Sequence, residues 1–331
     1  MRHMIGVRII KTAIGATIAI LLSDAIGLKY GTAAGVITIL SIQSTKRQSI
    51  EMAINRLVAT FIALGIATLL FGTLGHHTLV FGIYLTMFIP IAAKLKVGEG
   101  IVPASVLVTH LLTSEEVTVA LLINEILLVV IGAGVALILN LYMPSIEKHL
   151  YTIRNQIERD MYELFMDMAK ALEKRSVSIE EGMLYTNIEK SIKKGREEAY
   201  KHTNNHLFAN VTVYERYFAM RWEQFQVMLY MREHFGRIFM CFEETKEVAG
   251  FTRQVAESIK GRIESKLLLE QLEALREHFR QSELPKTREE FENRAMLYQF
   301  LNDIERFLVI KQSFRKNLTD KEFQEYVKGY E

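Results

Sequence analysis

The chain has 331 residues with 40 Lys and Arg against 38 Asp and Glu, half of its positions are hydrophobic, and it has one cysteine, Cys241. A net charge of +2 without a strongly basic face argues against nucleic-acid binding, and a lone cysteine rules out a disulfide framework or a cysteine metal site. Residues 1–144 hold 9 of the 40 basic and 6 of the 38 acidic side chains, so a membrane unit over 1–144 and a highly charged, nearly neutral domain over 145–331 are predicted, with the boundary at Pro144.

A helix rises about 1.5 Å per residue, so crossing a hydrocarbon core of roughly 30 Å takes about 20 apolar residues. Segments 5–23, 50–71 and 117–142 have that length, 78–93 ("TLVFGIYLTMFIPIAA") is borderline, and 30–43 ("YGTAAGVITILSIQ") and 99–112 ("EGIVPASVLVTHLL") are short. The first run is read as a retained segment, because no small-residue cleavage site precedes a mature domain. Six apolar segments in so short a stretch leave no polar faces to cover a soluble core.

Taken as six crossings with the N-terminus inside, the cytoplasmic side holds Arg2, Arg8, Lys11, Lys46, Arg47, Arg56, Lys94, Lys96, Lys148 and Arg154, and the outer loops hold only Lys29. Basic loops stay cytoplasmic, so both termini are expected there. Four crossings with 30–43 and 99–112 as re-entrant pairs is the alternative, and six explain the charges more simply. A short segment lies second in each set of three, interrupted by Gly31 and Gly35 in one and by Gly98, Gly100 and Pro103 in the other. Short or broken segments at matching positions in two inverted halves point to a transport site.

Beyond Pro144, apolar residues recur at three- and four-residue spacing over 147–175, 179–202, 205–245, 251–281 and 287–316, with breaks at Ser176–Ser178, Asn204, Gly250 and Pro285. The Met- and aromatic-rich stretch 213–242 reads as bundle core, with an aromatic-ligand pocket or an oligomer seam as the functional alternative. The expected fold is all-α: a polytopic membrane unit of six short helices, then a cytoplasmic antiparallel helical bundle.

No GxxxxGK[ST] or strand-linked GxGxxG pattern occurs, which argues against ATP-driven transport within the chain and leaves proton or potential coupling. An ionisable side chain inside a bilayer is costly and raises a functional question. Glu125, two turns into the last apolar segment beside Asn124, is either a proton carrier or a carboxylate reaching the outer interface. His110, after Thr109, is either a proton relay or a satisfied interface residue. Thr38, Ser41, Thr86, Ser105 and Thr109 are either path-lining groups or hydroxyls bonded to their own helices. His76 and His77 lack a third ligand, so no metal site is expected; no cofactor and no enzymatic residue set are expected either.

The stretch "YGTAAGVITILSIQSTKRQSIEMAINRLVATFIALGIA" resembles the aromatic acid exporter family of bacterial membrane proteins, within the fusaric-acid-resistance-like group. The family pattern is an apolar helix ending in Leu-Gln-x-Thr, a polar loop, and an Arg opening a helix with Gly-Thr and a further Gly. Gln43, Thr45, Arg56 and Thr60 match it, while Ile42, Ala59 and Ala63 depart from it. Small residues four apart, Ala59 and Ala63, still permit close helix approach. The resemblance implies efflux of aromatic or other organic acids across the bacterial plasma membrane. Relatives with two membrane units in one chain imply that this one pairs with itself. A substrate path over Gln43, Thr45, Arg56, Thr60, Ser105 and Thr109 is expected, with Arg56 holding a substrate carboxylate or pairing with Glu51. The competing reading is a membrane-anchored interaction or sensing protein that acts through its cytoplasmic bundle.

The orientation is testable with single cysteines at Thr73 and Ser114 in a Cys241→Ala background. An impermeant thiol reagent added to intact cells is expected to label both and to spare Lys46→Cys; the reverse pattern would invert the topology.

Overall fold

The computed structural model describes residues 2–142, 146–174, 181–206, 212–235, 243–260 and 264–327. Every regular element among these residues is helical. Proximity along the backbone divides the chain into two compact units, residues 1–144 with 204–208 and residues 145–203 with 209–331.

The first unit runs through α1 (Arg2–Ala25), α2 (Thr32–Ser41), α3 (Lys46–Leu74), α4 (Thr78–Lys94), a 3-10 turn (Gly98–Gly100), α5 (Ile101–Thr113) and α6 (Val119–Leu141). Local chemistry sets the boundaries. Thr45 caps α3 by accepting from the Gln48 amide, Thr118 caps α6 by accepting from Leu121, and Gly75 ends α3 with a positive φ of 83°. Pro103 falls in the first turn of α5, where a missing N–H costs nothing.

These helices are not uniformly short. α3 and α6 are long and apolar enough to cross a membrane by themselves. α2 has 10 residues and α5 has 13, so at 1.5 Å per residue they rise only about 15 and 20 Å. α2 is followed by extended backbone at Ile42 and Thr45, which carries the chain onward without helical hydrogen bonds. The second segment of each set of three is therefore a half-length helix joined to non-helical backbone.

Packing inside this unit relies on small side chains. Ala59, Ala63 and Ala67 of α3 are fully buried, while Phe61 and Leu69 on its other face are exposed. α1 likewise turns Ile9, Ile10, Ile14 and Leu21 outward. Large aliphatic groups outside and small ones inside is the arrangement that lipid favours, since tails solvate the outer face and close backbone approach supplies the dispersion contacts. At Gly132 of α6 an added Cβ would lie 2.6 Å from the Ala34 carbonyl oxygen, so α2 and α6 touch backbone to backbone. At Gly100 an added Cβ would lie 2.4 Å from Ala59 Cβ, which seats the start of α5 on α3.

The second unit contains α7 (Glu147–Lys174), α8 (Glu181–Asn205), α9 (Val213–Phe235), α10 (Glu243–Ile259), α11 (Ser265–Gln281), α12 (Arg288–Lys316) and α13 (Asp320–Val327). α7 packs on α10, and α12 packs on both α9 and α11. The described part of the Met and aromatic stretch is core: Tyr217, Phe218, Phe225, Met228 and Met231 are all buried. The expected run 251–281 is instead two helices, because α10 passes straight through Gly250 and ends at Ile259. Gly250 has open space around it, and a single glycine costs a helix only about 1 kcal/mol, which the buried Val248, Ala249 and Phe251 offset. Of the expected run 205–245 the described residues include α9 and the start of α10, and α13 is additional. Pro144, Ser176–Ser178 and Cys241 lie outside the described residues.

The α2–α6 contact predicts opposite outcomes at two glycines of one helix. Gly132→Ala is expected to destabilise the purified protein by about 1–3 kcal/mol through overpacking. Gly134, with nothing near it, is expected to accept Ala with no loss, and melting curves in detergent compare the two directly.

Candidate functional site

Two groups of buried polar side chains in the first unit lie at the two ends of α6. One group surrounds Arg56, which is 3% exposed on the third turn of α3. Its Nη1 donates to the Ile37 carbonyl at 2.8 Å and to Ser41 Oγ, and its Nη2 donates to the Leu40 carbonyl at 2.6 Å. Arg56 thus caps the C-terminus of α2, where orphan carbonyls and the negative end of the helix dipole meet a planar cation. Its Nε is buried without an acceptor.

Glu51 is not the partner of Arg56. It lies on the exposed side of α3, 3.2 Å from Arg47, one turn before it on the helix surface. Other basic residues near this end repeat the Arg56 device. Lys11 Nζ donates to the Leu139 and Tyr142 carbonyls at 3.0 and 2.5 Å, at the end of α6, and Arg8 reaches the Ile42 carbonyl at 3.5 Å. Thr45 is buried as the α3 cap, Gln43 is half-buried in the link after α2, and Thr60 is buried one turn beyond Arg56. Asn140 and Ser49, which sequence reasoning missed, join here: Asn140 Nδ2 donates to Ser49 Oγ at 2.7 Å and ties α6 to α3.

The second group lies near the start of α6, 15 residues earlier, or about 22 Å along the axis. Glu125 is fully buried, and its Oε2 lies 2.8 Å from His110 Nδ1, whose ring is 15% exposed. Asn124 Nδ2 donates to Glu125 Oε1 at 3.1 Å. The Asn124 amide also pairs with the Lys29 backbone, donating to its carbonyl at 3.0 Å and accepting from its amide at 2.8 Å. The Tyr30 ring stacks on His110 with centroids 4.0 Å apart. Tyr30 itself has φ of +61°, a left-handed conformation rare outside glycine, held by the turn that starts α2.

Two candidate residues read separately from the sequence are therefore one ion-paired or hydrogen-bonded unit. Its carboxylate accepts on both oxygens, and its imidazole is covered by an aromatic face. An imidazole that carries its proton on Nδ1 donates it to the carboxylate across this contact. Tyr30 was not anticipated, since a tyrosine in a short loop carries no pattern that marks it.

The remaining candidates are not brought together. Thr109 donates back to the Val106 carbonyl at 2.5 Å, and Thr86 donates to Ile83. Thr38 bonds both its own helix at Ala34 and the Gly132 carbonyl of α6 at 3.0 Å, so it serves helix packing. The Ser105 and Tyr84 hydroxyls are buried near each other without the geometry of a formed hydrogen bond. His76 Nδ1 meets the Ser114 carbonyl at 2.5 Å. No cluster of three metal-ligating side chains occurs among the described residues.

Apolar helices with small inner faces and large apolar groups turned outward are the build of a helical membrane protein. Comparison makes the assignment specific: the chain belongs to the aromatic acid exporter family, with residues 3–143 matching "Aromatic acid exporter family member 1" and residues 147–312 matching "Putative aromatic acid exporter C-terminal domain". It is 35% identical over 311 residues to the uncharacterized protein YqjA of Bacillus subtilis strain 168, covering 94% of this chain and 96% of that one. A crystal structure of a "putative membrane protein" from Clostridium difficile 630 aligns with a TM-score of 0.45 at 18% identity, over 50% of this chain and 99% of that one.

Arg56→Met is expected to cost about 1–3 kcal/mol, chiefly by leaving the Leu40 carbonyl without its donor, since the Ile37 carbonyl keeps the Ser41 hydroxyl. Arg56→Lys is expected to recover only part of it, because a point charge cannot reproduce the planar fork. Melting temperatures in detergent test this, and equal values for wild type and Arg56→Met would leave the cap energetically idle.

Proposed function

We propose that this protein is a multi-pass plasma-membrane exporter of aromatic or other organic acids, driven by proton exchange at the His110–Glu125 pair. Both termini and the second unit face the cytoplasm in this reading, and the protein acts as a homo-oligomer. The observation that carries it is the full burial of Glu125 against His110 between apolar helices. A structural helix pair gains little from a buried carboxylate, whose desolvation is repaid only in part by its partner. A proton carrier requires one, because the pair must alternate between a charged and a less charged state.

The basic residues at the other end of α6 supply the complementary half. Lys46, Arg47, Arg56, Lys94 and Lys96 lie on the side from which a cytoplasmic anion enters, and one sign of charge raises the local anion concentration. Arg56 commits its Nη groups to α2, so it shapes the entrance by fixing the end of that helix beside Gln43, Thr45 and Thr60. Export then runs as exchange: the anion leaves outward while a proton taken from outside neutralises the Glu125 site and returns. Lengths favour this picture, since α2 and α5 stop short of a full crossing and leave room for a path at mid-depth. A membrane anchor for a sensing bundle, the other reading, has no use for an enclosed proton-binding pair.

The test is accumulation of aromatic carboxylates in cells with and without the protein, followed by pH-jump efflux from proteoliposomes. Glu125→Gln and His110→Phe are expected to abolish the dependence of efflux on the pH gradient while membrane levels stay unchanged. Gradient-driven efflux by Glu125→Gln at the wild-type rate would remove the pair from the mechanism.

A further inference from the structure

The bundle encloses a second set of buried charges that transport does not use. At its centre Glu158 of α7, 4% exposed, accepts from Arg221 Nη2 at 2.8 Å and from the Tyr217 hydroxyl at 2.9 Å, and Arg154 Nε lies 3.4 Å away. The Arg154 guanidinium lies beside the rings of Tyr217 and Tyr326, 5.4 and 4.6 Å from their centroids. Arg221 extends further, with Nε to the Tyr217 oxygen at 3.0 Å, Nη1 to Gln224 at 2.9 Å and Nη2 to the Ile259 carbonyl at 3.2 Å. Lys311 of α12 completes the set, 8% exposed, its Nζ donating to the Ser258 carbonyl.

Among the described residues this cluster places three cationic side chains around one carboxylate, all nearly or fully removed from solvent. Burial alone opposes ionisation of Glu158, but Arg221 and then Arg154 hold its pKa below the usual carboxylate range. Lys311 itself meets only a carbonyl, with no carboxylate in ion-pairing distance among the described residues, and a buried ammonium without an anion beside it costs several kcal/mol. An arginine cannot shed its proton in a protein, whereas a buried lysine does so readily. Lys311 is therefore the member of the cluster that can change its charge. Its position gives that proton a structural reading, because Lys311 and Arg221 hold the last two carbonyls of α10, Ser258 and Ile259.

We propose that Lys311 is a reversible proton-binding site of the helical bundle, and that taking up its proton loosens the C-terminal turn of α10 against α9 and α12. The neutral amine still donates to Ser258 and repels nothing; the ammonium repels its neighbours and must be desolvated. The charged and titratable groups that face it are Arg154 and Glu158 from α7, Tyr217 and Arg221 from α9, and Arg315 one turn along α12, which pairs with Glu264 at 3.0 Å. From α10 it meets carbonyls, and from α13 Tyr326 lies beside Arg154.

Burial first, then Arg221, push the Lys311 pKa down to about 7 from an ordinary 10.5. The folded value lies below the unfolded one, so the unfolded chain binds more protons between the two. Stability contributed by neutral Lys311 is therefore complete above 10.5 and lost progressively as pH falls to about 7, with no further loss below. Within the folded protein the switch itself falls near neutrality.

Hydrogen exchange on the full chain in nanodiscs, corrected for the intrinsic pH dependence of amide exchange, reads the local effect. Protection of peptides covering the end of α10 and its contacts on α12 is expected to fall severalfold as pH drops from about 8 to about 6. Lys311→Met is expected to keep high protection throughout, and Lys311→Arg, which never loses its charge, low protection throughout. Wild-type protection that does not change with pH, or a Lys311→Met variant with the wild-type pH response, would overturn the proposal. If Lys311→Arg does not fold, the comparison of wild type with Lys311→Met decides alone.

Discussion

A helix that ends where side chains exclude water leaves up to four carbonyls without partners, and a buried carbonyl without a donor is costly. The first unit depends on how α2 meets that constraint. Its C-terminus is closed by a guanidinium from the neighbouring helix, with Arg56 reaching Ile37, Leu40 and Ser41 together. The cap allows the chain to leave helical geometry at Ile42 and resume it at Lys46, and it fixes α3 against α2 at the same point. Close contact of α2 with α6 at Gly132, and of the α5 start with α3 at Gly100, completes the same frame.

The same physics recurs in the second unit with a different consequence. There too cations from neighbouring helices meet a helix C-terminus, Arg221 and Lys311 on the end of α10. Arg221 keeps its charge there at every pH, whereas Lys311 fastens the turn as a neutral amine and, in the proposal above, loosens it on taking up a proton. The His110–Glu125 pair is the acidic counterpart in the first unit, a carboxylate made tenable by an imidazole and by Asn124 rather than by a permanent cation.

Parts of this were legible from residue types and spacing. Arg56, Glu125 and His110 stood out because ionisable groups are costly among apolar residues, whatever their neighbours. What Arg56 does was not legible, because its acceptors are backbone carbonyls, which every residue has and no residue type announces. Glu51, four positions after Arg47, turned out to serve its helix surface while Arg56 turned inward. The break expected at Gly250 failed because burial on both sides of a glycine outweighs its weak propensity. Ser105 and Thr109 show how little a hydroxyl reveals in sequence: one is buried without a formed bond, and the other merely returns to its own helix.

By itself the sequence determined that the chain is helical, divided near Pro144 into an apolar and a charged half, and of the aromatic acid exporter type. Those properties follow from hydropathy, charge content and local motif, each a sum over neighbours along the chain. Tertiary structure decided which groups meet. His110 and Glu125 are 15 residues apart on separate helices, Arg221 and Glu158 are 63 apart, and Lys311 and Ser258 are 53 apart. No periodicity links such positions, because helix rotation and crossing geometry, set by small residues such as Gly100 and Gly132, determine which side chains face one another.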